Sequence, residues 1–289
     1  MENIKCNICN SDRIKNFMMK DRWNIVRCDD CGLVFLKNIP SDEELKNIYD
    51  DSFFKDGQKS PIEGSNYEEN PTFYNAQKRL EKIKKLGHEK GNLLDIGCAT
   101  GIFMKAASST YDCTGLDISN AATDFAINEM GLNAKCGTIF NLDFERQYFD
   151  VITMWDVIEH VRDPSKYIEK VSQILRPGGL LVLSTGNIES LMFKIQRKNW
   201  HLLIPPFHLY YFNKTNITKL LENHGFEIKR LTHDSQYTNI GYITNKLKRM
   251  HAGNKLLDLG DKIVRTFKID RLNINLNLFD VMTVYAVKK

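Results

Sequence analysis

Leu94-Asp95-Ile96-Gly97-Cys98-Ala99-Thr100-Gly101, with Gly115-Leu116-Asp117 downstream, is the stretch that decides the fold of this chain. An apolar strand runs into the tight turn Asp95-x-Gly97-x-Ala99-x-Gly101. Glycine at 97 permits a backbone conformation closed to other residues, and the small Ala99 and Gly101 let a ligand lie against bare main chain. The helix that opens next presents unpaired N–H groups suited to a phosphate or carboxylate. Asp117 ends the second strand twenty residues after Gly97, where an acid accepts hydrogen bonds from both hydroxyls of a ribose. A strand-end turn residue is the plainer reading of Asp117, and the spacing favours the ribose.

Outward from this turn, strand-like and helix-like segments alternate. Strands are expected at Asn92–Ile96, Cys113–Asp117, Ala134–Cys136, Phe149–Trp155 and Leu180–Ser184, with helices at Ile102–Ser108 and Ala121–Met130. Asp163-Pro164 caps a further helix reaching Leu175, with Asp as N-cap and Pro at the first helical position. Pro177-Gly178-Gly179 then turns the chain into a strand almost without polar residues, as in sheets buried on both faces. Repeated β-α units imply an α/β, doubly wound parallel sheet with right-handed crossovers. Upstream, Phe73, Ala76, Leu80 and Ile83 recur at helical spacing and Gly87 stops the helix.

The first forty residues carry a different signal. Cys6-Asn7-Ile8-Cys9 and Cys28-Asp29-Asp30-Cys31 form C-x2-C-x18-C-x2-C. Two such knuckles aim four sulfurs at one point, which suits a structural zinc and leaves no open position for catalysis. An iron–sulfur cluster is the alternative. A segment this short cannot build its own core, and zinc would supply on the order of 10 kcal/mol of folding free energy. Short strands are expected at Asn24–Arg27 and Leu33–Leu36. Ser41 and Glu44 mark a helix start, and residues 51–65, with Gly57, Pro61 and Gly64, read as a loop. The domains expected are therefore a zinc-ribbon module at 1–40, a helical linker or lid at 41–90, and the α/β domain from 91 to 289.

The chain has 289 residues, 42% hydrophobic and 26% charged, with a formal charge of +4. This is an ordinary globular composition, and the mild charge argues against nucleic acid as a partner. Eight Lys or Arg against three Asp or Glu lie between Gly241 and Arg271, which reads as a solvated helical face. No run approaches the ~18 apolar residues of a membrane helix, and the N-terminus lacks the apolar stretch of a signal peptide. The expectation is a cytoplasmic protein with no membrane partner. Cys98, Cys113 and Cys136 read as buried small hydrophobes.

The run Leu94–Gly101 resembles the first motif of the class I S-adenosylmethionine-dependent methyltransferases. So do Gly115-Leu116-Asp117-Ile118-Ser119, the segment from Phe149 to Pro164 that contains Trp155-Asp156-Val157-Ile158-Glu159-His160, and Leu175-Arg176-Pro177-Gly178-Gly179, in the family's order. Phe207-His208-Leu209-Tyr210-Tyr211-Phe212 and Leu220–Phe226 are similar to the region after the fifth strand in this group. The resemblance implies a seven-stranded Rossmann-like sheet, closed by antiparallel strands at Phe226–Leu231 and Val281–Val287. Between them lies a helical insertion at 240–267, broken near Gly253, beside the sheet edge and the acceptor pocket. S-adenosyl-L-methionine is the cofactor implied. Asp95, Gly97 and Gly101 would line its methionine part, Asp117 would hold the ribose and Ile118 would pack on adenine. The backbone N–H of Ile139 would replace the family's usual acid at the adenine amine, and backbone around Trp155 would face the methionine amine.

Methyl transfer needs an aligned acceptor and often a base. His160, His201 and His208 are the candidate catalytic residues, with Glu159 and Asp156 close in sequence; histidine titrates near neutral pH. Tyr210 and Tyr211 read as walls of the acceptor site, and Tyr67 and Tyr74 as core or lid. Asp156–His160 is also similar to a Glu-x-x-Glu-His metal segment of ubiquinone-pathway O-methyltransferases. The shorter Asp156 weakens that match, and no metal is expected there. Zinc-ribbon methyltransferases resembling this one act on nucleotide-linked sugars, so the acceptor expected is a small molecule, a sugar or nucleotide-sugar hydroxyl. Those that methylate carbon carry a further domain for which this chain is too short. The competing readings are a zinc-ribbon RNA methyltransferase and a non-catalytic zinc-dependent adaptor.

Overall fold

The computed structural model of the chain describes residues 4–41, 43–44, 70–250 and 254–289. Its N-terminal module is a meander of β1 (Ile14–Lys20), β2 (Trp23–Cys28) and β3 (Val34–Leu36), each antiparallel to the next. The sequence announces β2 and β3, which bury Ile25, Val26, Val34, Phe35 and Leu36. It does not announce β1, which buries no residue fully and so has no apolar signature. Ser41 and Glu44 cap each other as expected. The Glu44 N–H donates to Ser41 Oγ at 3.2 Å and the Ser41 N–H to Glu44 Oε2 at 2.7 Å. The expected loop at 51–65, Tyr67 and Gly253 lie outside the described residues.

α1 (Pro71–Lys84) starts where the Asn70 side chain accepts from the Thr72 N–H, and it buries Ala76, Leu80 and Ile83. The chain then runs β4 (Gly91–Ile96), α2 (Ile102–Ala107), β5 (Tyr111–Asp117), α3 (Asn120–Asn128), β6 (Ala134–Cys136), β7 (Phe149–Trp155), α4 (Pro164–Ile174) and β8 (Leu175–Gly186). It continues through α5 (Leu191–Gln196), β9 (Tyr210–Tyr211), α6 (Lys214–Asn223), β10 (Phe226–Thr232), β11 (Gln236–Asn239), α7 (Ile240–Met250), α8 (Lys255–Thr266), β12 (Asn273–Leu276) and β13 (Val281–Lys288). Seven strands form one sheet in the order β10-β13-β8-β7-β4-β5-β6. The five from β8 to β6 are parallel, and β13 is antiparallel to both its neighbours. The α/β, doubly wound, seven-stranded Rossmann-like sheet is therefore as expected.

Apolar side chains cover both faces of this sheet. On one face Ile152, Leu181 and Val284 share a core with Ile168, Val171, Ile217 and the N-terminal strands. On the other, Leu93, Val151 and Val182 share one with Leu80, Ile83, Phe103 and Met104 of α1 and α2. The order of strands reverses at β4, which lies between β5 and β7. In such sheets a crevice opens beyond the carboxyl ends of the strands at that point.

Three details depart from the sequence reading. Pro177-Gly178-Gly179 lies within β8 instead of preceding it; the pairing with β7 shifts by three residues there, from Phe149 opposite Leu175 to Val151 opposite Leu180. Cys136 is exposed, unlike Cys98 and Cys113, because it ends the edge strand β6, where nothing among the described residues packs over it. The helical insertion is bracketed by an unforeseen ribbon of β11 and β12. β9 joins the N-terminal meander by pairing Val34 with Tyr211 and Phe35 with Tyr210, so the two parts share a sheet. Among the described residues no helix is long and apolar enough to cross a membrane.

Candidate active site

The glycine turn after β4 is held by the strand beside it. Gly97 and Cys98 donate their N–H groups to the Leu116 carbonyl, and the Ala99 N–H donates to Asp117 Oδ2 at 2.8 Å. Gly97, Ala99 and Gly101 all adopt left-handed backbone, with φ of 74°, 46° and 85°. A Cβ at Gly97 would collide with Val157, so glycine is required there twice over, for its φ and for the close approach. Asp117 Oδ1 accepts from the Ser119 N–H at 2.9 Å. Each carboxylate oxygen is thus fixed by one backbone donor and retains acceptor capacity toward the crevice. Burial raises the Asp117 pKa, against the three backbone amides that lower it.

Ile118, next along, is 59% exposed, and Phe140, beyond the end of β6, is 56% exposed. Two large apolar side chains left open beside neighbouring strand ends are surfaces a flat ring would cover. Ile139 is fully buried, and its backbone serves the Tyr167 hydroxyl. Sequence reasoning misses Phe140. Its signal, an aromatic one residue beyond the position read as the adenine contact, is there to find.

Asp95 lies at the end of β4 and is buried; Thr153 Oγ1 donates to it at 2.7 Å. Burial pushes its pKa up to about 7. Trp155 ends β7, packs edge-on against Phe103 at 5.2 Å, and has a buried indole N–H with no partner among the described residues. The guanidinium of Arg79 sits 4.2 Å from the centre of the Trp155 ring and is close enough to favour the Asp95 carboxylate. Sequence reasoning misses Arg79 too, because helical spacing in α1 reads only its apolar neighbours. It brings a cation to the ends of β4 and β7.

Beyond Trp155 the chain turns sharply. Asp156 has a φ of 56°, and its N–H and carboxylate both bond Ser184 of β8. The turn delivers Glu159 and His160 to the loop that carries His208. The rings of His160 and His208 meet edge-to-face at 4.7 Å, and one ligand-type atom from each of Glu159, His160 and His208 lies within 4.8 Å of the others. His160 Nδ1 lies 2.8 Å from the Phe207 carbonyl, and His208 Nδ1 lies 2.7 Å from that of Leu202. A carbonyl can only accept, so both rings carry the proton on Nδ1 and keep Nε2 as the basic nitrogen. Desolvation lowers both histidine pKa values, most strongly for His208. Both are neutral at pH 7. Burial pushes Glu159 up to about 8, and its Oε2 is buried without a partner among the described residues. His201 lies close enough to His208 to disfavour its protonation, and its own Nδ1 is 3.5 Å from Asp280 Oδ2. Tyr210 and Tyr211 are buried. The Tyr210 hydroxyl donates to the Arg162 carbonyl, and Tyr211, near His208, has a hydroxyl without a partner among the described residues. Tyr74 packs on Tyr237 at 4.5 Å.

The four N-terminal cysteines converge. Cys6 and Cys31 sulfurs are 3.4 Å apart, Cys9 and Cys28 sulfurs 3.5 Å, and all four lie within 4.8 Å of one another. Tetrahedral zinc with bonds of about 2.3 Å places its sulfurs about 3.8 Å apart, so the donor set and its spacing fit. The knuckles also grip the start of α4 and the end of α6. Asn7 donates to Asp163 Oδ1 and accepts from the Ser165 N–H, both at 2.8 Å, and Asn223 donates to the Ile8 carbonyl at 3.2 Å.

Comparison with known proteins agrees with this architecture. A family model described as a methyltransferase domain matches residues 69–231, more than half the chain. Over 167 residues the chain is 30% identical to the ubiquinone biosynthesis O-methyltransferase of Coxiella burnetii, covering 53% of this chain and 71% of that one. Over 208 residues it is 27% identical to the mitochondrial ubiquinone biosynthesis O-methyltransferase of Dictyostelium discoideum, covering 58% and 64%. Among solved structures, an S-adenosylmethionine-dependent methyltransferase from Archaeoglobus fulgidus superposes with a TM-score of 0.51 at 16% identity, over 77% of this chain and 98% of that one. The YcgJ protein of Bacillus subtilis does so at 0.52 and 16%, over 75% and 99%. The glycine turn, the strand order and the matched family model lead to one conclusion: this chain belongs to the class I S-adenosylmethionine-dependent methyltransferases.

Proposed function

We propose that the chain methylates a hydroxyl oxygen of a small polar acceptor, with His160 as the base. When bound, S-adenosylmethionine supplies a methyl group already activated by its sulfonium. Asp117 would hold the ribose hydroxyls, Ile118 and Phe140 would offer apolar surface to the adenine, and the turn from Gly97 to Gly101 would receive the methionine part. Arg79 would attract the methionine carboxylate, and the Asp95 carboxylate would attract the methionine ammonium. His160 Nε2 would take the proton of the acceptor hydroxyl as its oxygen accepts the methyl group that the cofactor would supply. His208 and Glu159 fill the space behind His160 and hold its ring in place.

The observation that carries this reading is the fixed tautomer of His160, whose Nδ1–H is committed to the Phe207 carbonyl at 2.8 Å, five residues beyond the strand end at Trp155. Oxygen as the accepting atom is supported by relatives whose names specify O-methylation. The ribbon-plus-methyltransferase arrangement supports a sugar or nucleotide-linked sugar as the first acceptor class to test. The four cysteines would hold a structural zinc, which would keep the knuckles in the shape that contacts α4 and α6. The test is a screen of nucleotide sugars and small phenols with labelled methyl donor. Label on oxygen, lost in His160→Gln, is expected; label on nitrogen or carbon only would refute the reading.

A further inference from the structure

The insertion between β11 and β12 is built the wrong way round for a helix packed against a domain. Asp261 of α8 is buried and accepts from Thr244 Oγ1 at 2.9 Å, Lys248 Nζ at 3.1 Å and Arg265 Nε at 3.0 Å. This network fastens α8 to α7 through its polar side. The opposite side carries Leu256, Leu259, Ile263 and Phe267, exposed by 79, 56, 47 and 71%. Their spacing of three, four and four residues puts them in one stripe along the helix. Nothing among the described residues covers it.

The surroundings say what would. The segment from Gly241 to Arg271 holds eight basic and three acidic residues, a net of five positive charges by subtraction. Asp258 and Asp261 are already bound to Lys248 and Arg265, while Lys262, Lys268 and Arg271 are exposed. An apolar stripe of Leu, Ile and Phe beside exposed cations with no acidic partner among the described residues is complementary to a surface with an oily interior and anionic headgroups. A protein partner would be expected to answer the stripe with apolar residues and the cations with a separate acidic patch. A bilayer answers both at once.

We propose that α8, with Phe267 at its end, is a docking face for an anionic lipid surface. Such docking is peripheral, and the sequence expectation of no membrane partner rests on the lack of a spanning run and of a signal-peptide stretch, neither of which bears on a surface contact. The insertion is tied to α1 through Asn75, which bonds both the N–H and the carbonyl of Tyr237 at 2.8 Å.

The test is co-sedimentation of the full chain with vesicles of phosphatidylglycerol and phosphatidylcholine, against phosphatidylcholine alone. Binding to the anionic vesicles is expected, weakened by about 0.5 M salt. Leu256→Ser/Leu259→Ser/Phe267→Ser should lower the partition coefficient at least about tenfold, and Lys262→Glu/Lys268→Glu/Arg271→Glu by roughly a hundredfold or more. Both variants alter exposed residues, and retained binding of S-adenosylhomocysteine confirms their fold. Equal binding by the apolar variant, or no binding of wild type to anionic vesicles, overturns the proposal. A concentration-dependent dimer that the apolar variant abolishes, without vesicle binding, would overturn it too and assign the face to a second copy of the chain.

Discussion

Replacing Asp117 separates two jobs that its carboxylate performs. In the structure Oδ2 accepts from the Ala99 N–H at 2.8 Å and Oδ1 from the Ser119 N–H at 2.9 Å, which pins the glycine turn to the end of β5. The remaining lone pairs are those assigned to the ribose. A hydrogen bond to a charged group contributes about 1.5–3 kcal/mol, so losing two to the ribose removes about 3–6 kcal/mol, a fall in affinity of roughly a hundredfold to ten-thousandfold. Asp117→Asn keeps one acceptor oxygen but must turn its NH2 toward one of the two backbone donors. That donor is then unpaired, at a cost of about 1–3 kcal/mol in stability, while the neutral amide binds the ribose about half as strongly. Asp117→Ala frees both donors and loses both ribose bonds. Calorimetric titration with S-adenosylhomocysteine, alongside thermal melts, should rank affinity wild type, then Asn, then Ala, with melting temperature falling in the same order. Should the Ala variant bind within threefold of wild type, the ribose assignment is wrong.

Three further outcomes are expected. His160→Gln should lower kcat by about a hundredfold to ten-thousandfold and leave the affinity for S-adenosylhomocysteine unchanged; the acid limb of the wild-type pH–rate profile should lie below the ordinary histidine value, because desolvation depresses the His160 pKa. A kcat insensitive to the substitution would remove His160 as base. Metal analysis should return one zinc per chain, and Cys31→Ser or chelation should free the first knuckle to proteolysis, releasing Asn7 from Asp163; an intact knuckle without metal would contradict the zinc assignment. Asp95 titrates near 7 when folded, against an ordinary value near 4. The unfolded chain therefore ionises first, and wild-type stability should fall as pH rises from about 4 to about 7, by up to the order of 4 kcal/mol. Asp95→Asn keeps the bond from Thr153 and should lack that decline; parallel stability curves for the two proteins would disprove it.

The parts legible in the sequence are those fixed by local chemistry. Gly97 and Gly101 have to take left-handed backbone, Asp117 has to end a strand, and two CxxC pairs have to converge. Parts fixed by remote partners are not legible. The pairing of Phe35 with Tyr210 joins residues far apart in the chain, and no local pattern in either segment specifies the other. Arg79 acquires meaning only because α1 crosses the end of β7. The order among the three histidines likewise comes from the Phe207 and Leu202 carbonyls and from the Asp280 carboxylate, which the loop between α5 and β9 and the residue before β13 bring to them. The charge pattern around α8 announces a solvated basic face, but which side of the helix turns inward depends on Asp261 finding Thr244, Lys248 and Arg265.

The most direct test of the account is a crystal structure of the full chain with S-adenosylhomocysteine. It should show both ribose hydroxyls within hydrogen-bonding distance of the Asp117 carboxylate, and the cofactor's sulfur on the side of the crevice nearer His160. A ligand bound elsewhere, or an Asp117 turned away from a bound ribose, would contradict it.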